Sequence, residues 1–212
     1  MVHPTQELEA QTKVEITDTY PSEGGSNLKV LGIVCSPRKG GNTEILVQEA
    51  LAGAKENGAE TELLKISEIK IAPCDGCMTC HQSGECRIKD EMQKVYKKIL
   101  AADGIILGSP VYFWSVSGQA KTLMDRTYAL RYPYHKLRNK VGGAIAVAGR
   151  RGCMSALSVI NNFFLGHDML ATGLGIAGYG TKKVEVRKDQ HAMKSATSLG
   201  TQVTKLIKRT KP

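Results

Sequence analysis

Aromatic residues are scarce: they make up 5% of the chain, with one Trp and three Phe. So few aromatics offer little for stacking on bases, and no nucleic-acid partner is expected despite a net charge of +9. Part of the basic excess, Lys205, Lys208, Arg209 and Lys211, reads as a solvated helix end. Long apolar runs are also missing. Val141–Gly149 and Gly173–Gly178 are the longest candidates, far short of the roughly 20 residues that span a bilayer, so no membrane partner is expected. Residues 1–11 lack a basic stretch followed by an apolar core. No signal peptide is read, and a cytoplasmic protein is expected. Repeats and low-complexity tracts are absent. With 212 residues, 42% of them hydrophobic, the chain suits one globular domain with a short appendage, and needs no disulfide staples.

Cysteine is present but unevenly placed. Cys74, Cys77, Cys80 and Cys86 fall within thirteen positions, while Cys35 and Cys153 stand alone. In a cytoplasmic chain such clustering argues for a metal or redox site. The spacing is C-x2-C-x2-C-x5-C. Two-residue gaps let one loop bring three thiolates to neighbouring corners of a cubane, and the fourth follows after a short turn. That is the ligand set of a 4Fe–4S cluster. Structural zinc more often uses two separated C-x2-C knuckles; free or redox-active thiols are the plain alternative. Gly76 and Gly84 would ease the tight backbone, and His81 could stand in for one cysteine. Cys35, in a buried strand, reads as packing, and Cys153 is given no role.

Residues 1–27 form a polar extension ending in the linker-like run Pro21–Asn27. Within it Val14 and Ile16 alternate with polar neighbours, as a short edge strand would. Across 28–212, short apolar runs alternate with helical spacing. Strands are expected at Lys29–Cys35, Thr61–Ile66, Gly104–Leu107, Gly142–Ala148 and Gly173–Ala177. Helices are expected at Asn42–Asn57, after an Asp90/Gln93 capping box, and at Gly118–Tyr128, Met154–Leu165 and Gln190–Lys208. This alternation predicts an α/β fold of three layers. Its five-stranded parallel sheet would have the flavodoxin-like order 2-1-3-4-5, with the cysteine-rich loop 74–86 inserted. Ligands then belong at the carboxyl ends of the strands, where loops 36–43, 109–117 and 148–153 gather.

Loop 36–43, Ser-Pro-Arg-Lys-Gly-Gly-Asn-Thr, opens a helix. Its glycines, hydroxyls and amides suit a phosphate at a helix N-terminus. It carries neither a Walker ending nor GxGxxG, and an ordinary βα turn would look similar. Loop 108–117 holds Tyr112, Phe113 and Trp114, which suit a planar ligand, a core cap or a subunit interface. Loop 148–153 offers exposed amides and Arg150, or is a plain surface turn.

Together GIVCSPRKGGNT, the four-cysteine run, KDEMQKVYKKILAADGIILGSPVYFWSVSGQAKTLMDR and VAGRRG resemble the iron–sulfur flavoproteins. That group is a branch of the NAD(P)H-dependent FMN reductase-like proteins of flavodoxin fold. The resemblance runs from Leu28 to the C-terminus and implies noncovalent FMN and a 4Fe–4S cluster. It implies that Ser36, Arg38, Asn42 and Thr43 hold the FMN phosphate. Pro110, Val111, Tyr112 and Phe113 would line the isoalloxazine, and Gly149, Arg150 and Gly152 would meet its polar edge. Cys74, Cys77, Cys80 and Cys86 would ligate the cluster. Gly41, counted with the phosphate loop, stands where the broader pattern often has serine. The resemblance also implies a homodimer or homotetramer. The expected function is electron transfer between a one-electron donor such as ferredoxin and a two-electron acceptor such as dioxygen, peroxide or a quinone. No side chain is assigned as acid or base. Two alternatives stay open: an NAD(P)H-dependent FMN or quinone reductase without a working cluster, and a redox or metal sensor that binds a partner.

Overall fold

The computed structural model describes residues 28–211. The extension 1–27, with its suggested edge strand, lies outside the described residues. Strand β1 (Leu28–Val34) pairs in parallel with β2 (Ala59–Lys65) and β3 (Gly104–Tyr112). Strand β3 folds back on a two-residue strand β4 (Ser115–Val116), and β5 (Val141–Ala148) lies parallel on its other side. Two short strands, β6 (Leu170–Ala171) and β7 (Ile176–Tyr179), both pair with β5.

Among the described residues seven strands therefore replace the expected five, and the sheet path reads β2-β1-β3-β5-β6. The extra strands have local causes. Phe113 and Trp114 turn β3 back to make β4. The expected fifth strand, Gly173–Ala177, is broken at its start. Gly173 and Gly175 take positive φ (76° and 96°), and a Cβ on Gly175 would stand 2.6 Å from the Ala144 carbonyl oxygen. The chain leaves the sheet there and re-enters at Ile176. Read as one interrupted strand, β6 and β7 occupy the fifth place of the 2-1-3-4-5 order.

The alternation within β1 sorts the two cores. Leu31, Ile33 and Cys35 face the layer of α3 (Met92–Ala101), α4 (Gly118–Arg126) and α5 (Cys153–Gly166). Val30 and Val34 face α1 (Asn42–Glu56) and α6 (Gln190–Thr210). A single-turn helix, α2 (Thr79–Ser83), lies inside the cysteine segment. The capping box is only half formed. Asp90 Oδ1 accepts from Met92 N–H at 3.0 Å, but the Gln93 amide donates to Ile88 O instead. No helix among the described residues is long and apolar enough to cross a membrane.

A buried histidine sets a pH limit on this core. His167 is 4% exposed, with Nε2 3.0 Å from Thr127 Oγ1 and Nδ1 without a partner. Burial first, then Arg131 and His135, pushes its pKa down to about 4. The unfolded imidazole titrates near about 6.5. Between those values the unfolded chain binds a proton that the folded chain refuses. This contribution to stability is fully present above about 6.5 and is lost as pH falls toward 4, by an order of 3 kcal/mol. Urea midpoints at pH 7 and pH 4.5 should fall further in the wild type than in His167→Gln; equal falls would remove His167 as the cause.

Candidate functional site

The carboxyl ends of β1, β3 and β5 bring the three anticipated loops together. Ser117 ties the first two: its Oγ donates to Cys35 O at 2.6 Å, and its N–H donates to Ser109 Oγ at 2.9 Å. Loops two and three touch at Gly152, where a Cβ would stand 2.8 Å from Val111 Cγ1 and 3.5 Å from Trp114 Cα. A fourth segment, 180–186, closes the ring. Arg38 Nη1 donates to Thr181 O (3.1 Å), and a Cβ on Gly149 would meet Thr181 Cγ2 at 2.8 Å. Lys183 lies over Gly40, its Cε 3.5 Å from where a Cβ there would be. Sequence reading missed Thr181 and Lys183. The signal available was the Thr-Lys-Lys run directly after β7.

Within loop 36–43, Ser36 and Thr43 are buried, and Ser36 Oγ accepts from Arg38 N–H at 3.2 Å. Gly41 is the residue before α1 and offers no side-chain cap. The first-turn N–H groups of α1 have no partner within the helix and point at this loop. Gly41 also fits its place sterically, since a Cβ would crowd Arg38 O at 3.0 Å. The chemistry suits a phosphate cradle, with Arg38, Lys39 and Lys183 as nearby cations. Asn42 enters differently from the other positions. Its amide donates to Gly180 O and Lys182 O (3.0 and 2.9 Å), and its Oδ1 accepts from Val186 N–H (3.3 Å). Only its backbone is free for a phosphate. Glu44 is buried beside the loop, bonded by Gly40 N–H (2.7 Å) and Lys65 (2.9 Å). Burial resists its ionisation, but Lys65 and Gly40 outweigh that and hold its carboxyl below the usual range.

Pro110 and Val111 are half-buried at the end of β3, while Tyr112, Phe113 and Trp114 are exposed, Phe113 at 99%. Phe113 and Trp114 have φ of 42° and 67°, a two-residue hairpin conformation that favours Asn-Gly. Holding two bulky residues there costs about 1–3 kcal/mol each. Gly149 and Arg150 are exposed and Gly152 is half-buried beside them.

The cysteine segment follows β2 and packs against the end of α4 and residues 127–136. Cys74, Cys77, Cys80 and Cys86 line one open concavity of about 130 Å³ with Met78, Arg87 and Arg126. All four are free thiols; Cys74 and Cys77 are exposed, Cys80 and Cys86 packed against the core. Both ends of the segment are anchored. Ala72 N–H donates to Asp90 Oδ2 and Lys70 N–H to Glu91 Oε2, each at 2.8 Å. Lys136 Nζ donates to Gly84 O at 2.9 Å. The Arg87–Asp75 ion pair crosses the mouth. Cys77 is drawn toward thiolate by Thr79 first, with Arg87 helping. Burial, and then the negative charge of its three neighbours, pushes the Cys80 thiol up. That repulsion is what a bound polycation relieves. Among the described residues no three His, Cys, Asp or Glu side chains converge as ligands of one metal ion. A 4Fe–4S cluster asks for something wider, because each thiolate binds a different iron. The donor set fits that group.

Residues 28–181 match the NADPH-dependent FMN reductase family. The chain is 43% identical over 190 residues to an iron–sulfur flavoprotein of Methanocaldococcus jannaschii, covering 85% of this chain and 98% of that one. It is 41% identical over 148 residues to the iron–sulfur flavoprotein of Methanosarcina thermophila, covering 69% and 78%. The solved WrbA-like flavodoxin of Agrobacterium tumefaciens superposes with a TM-score of 0.64 at 17% identity, over 87% of this chain and all of that one. That likeness shows the flavodoxin-like fold. The two relatives and the family match show more: this chain belongs to the iron–sulfur flavoproteins, a branch of the NADPH-dependent FMN reductase family of FMN-dependent oxidoreductases.

Proposed function

We propose that this flavoprotein oxidoreductase couples a one-electron donor of ferredoxin type to a two-electron acceptor, by way of FMN and a 4Fe–4S cluster. One observation carries the reading: all four cysteines of the segment 74–86 line a single concavity in a segment anchored at both ends. When bound, the cluster would supply single electrons and the flavin one or two at a time. Cys74, Cys77, Cys80 and Cys86 are its ligands in this reading. The amides of 41–43, with Ser36, Arg38 and Thr43, hold the FMN phosphate; the Asn42 side chain fixes the 180–186 loop against it. Pro110, Val111, Tyr112 and Phe113 bound the isoalloxazine, and Gly149, Arg150 and Gly152 meet its polar edge. No side chain is assigned to proton transfer. The acceptor is dioxygen, peroxide or a quinone, and the protein works in the cytoplasm as a homodimer or homotetramer. Full exposure of Phe113 is in keeping with a second copy nearby.

A reductase fed by NAD(P)H, with thiols at 74–86, is favoured by the family match. Protein purified without oxygen separates the two. The proposal expects four irons, four sulfides and one FMN per chain, and bleaching of the flavin by reduced ferredoxin rather than by NADPH. FMN without iron, bleached by NADPH, overturns it.

A further inference from the structure

Arg126 closes α4 with its side chain wholly buried. Its Nη1 donates to Ala72 O and Asp90 Oδ2, both at 2.7 Å. Its Nη2 donates to Ile88 O at 3.2 Å and Asp90 Oδ1 at 3.0 Å. The guanidinium thereby grips the chain just before Cys74 and just after Cys86. A guanidinium has five N–H donors. The fifth, on Nε, has no partner and no solvent. An unmade buried donor on a charged group is costly, and it marks an acceptor still to come. Arg126 is also part of the wall of the four-cysteine concavity. Asp90 balances the charge, and Arg126 draws its carboxyl down to about 2. The Nε–H is left over from every bond that holds the loop.

We infer that Arg126 Nε–H donates to a sulfur of the group held by the four cysteines, and thereby raises that group's reduction potential. The inference rests on the cluster reading above. A hydrogen bond to sulfur, from a cation, favours the more negative reduced state and so raises the potential.

The test begins with wild-type protein reconstituted without oxygen. Absence of iron and sulfide there sinks the cluster reading itself, and this inference with it. With the cluster present, the protein is labelled with 15N-arginine, reduced, and examined by pulsed EPR. A 15N coupling that survives Arg87→Lys, which removes the other arginine of the pocket, is the expected result. Absence of any arginine coupling overturns the inference. Arg126→Lys keeps the charge but removes the Nε donor. Its cluster should be harder to reduce by about tenfold, equal to 59 mV for one electron. An unchanged potential at full iron content overturns the inference as well. If Arg126→Lys retains no iron, the wild-type coupling alone decides.

Discussion

Replacing Gly200 by alanine is expected to destabilise the fold by about 3 kcal/mol or more, at the upper end of overpacking costs. A Cβ there would stand 1.7 Å from the Ala50 carbonyl oxygen and 2.7 Å from Ala54 N. The opposing Gly53 is equally tight, its Cβ position 2.0 Å from Thr197 O. Backbone meets backbone at this crossing of α1 and α6, so no side-chain rotamer can absorb the clash. The helices must separate. Neither can retreat into the sheet, because Val47 and Leu51 of α1 already press on Gly32, and Val203 and Ile207 of α6 on Gly104. Urea midpoints measure the loss. Gly166→Ala is the reference: a Cβ there meets nothing within 4 Å, so a change within about 0.5 kcal/mol is expected. A Gly200→Ala midpoint equal to wild type would refute this account of the crossing. The same displacement should weaken FMN, since α1 presents its first-turn amides at the phosphate-type loop.

The strands and long helices were legible because their cause is local. Leu31, Ile33 and Cys35 alternate with Val30, Gly32 and Val34, and Met92, Val95, Tyr96 and Ile99 recur at helical spacing. The cysteine segment stood out because four ligand-type side chains crowd one stretch of chain, and the fold lines one concavity with them. What escaped was set by distant partners. Asn42 looked like a phosphate ligand until its amide met Gly180, Lys182 and Val186, some 140 positions away. Arg126 ends an ordinary amphipathic helix and carries no motif; only the fold brings it to Ala72, Ile88 and Asp90. The Phe113–Trp114 hairpin escaped because its residues contradict the chemistry of such turns. Local rules fail there at the point where the chain keeps aromatic side chains outside its core, which is where functional strain is expected.

Cys77→Ser is expected to reduce iron and acid-labile sulfide to background while leaving the fold and FMN content intact. Cys77 is exposed and carries no core packing, so its loss costs little stability. Its contribution is chemical. Thr79 and Arg87 draw it toward the thiolate, the form that binds metal, and a serine hydroxyl does not ionise there. Without it one corner of the proposed cubane has no protein ligand. The loops proposed to hold FMN are tied to one another through Ser117, Asn42 and Arg38, none of which bonds to Cys77. The broad absorbance beneath the flavin bands should vanish while the flavin bands remain. Cys35→Ala supplies the contrast. Cys35 is fully buried in the sheet, and burial pushes its thiol far up, so it is neither available nor reactive. That variant should lose some stability and keep its iron. Full iron in Cys77→Ser would remove Cys77 from the ligand set. Equal iron loss in both variants would mean that iron content follows folding, and the ligand assignment would fall for want of a distinguishing effect.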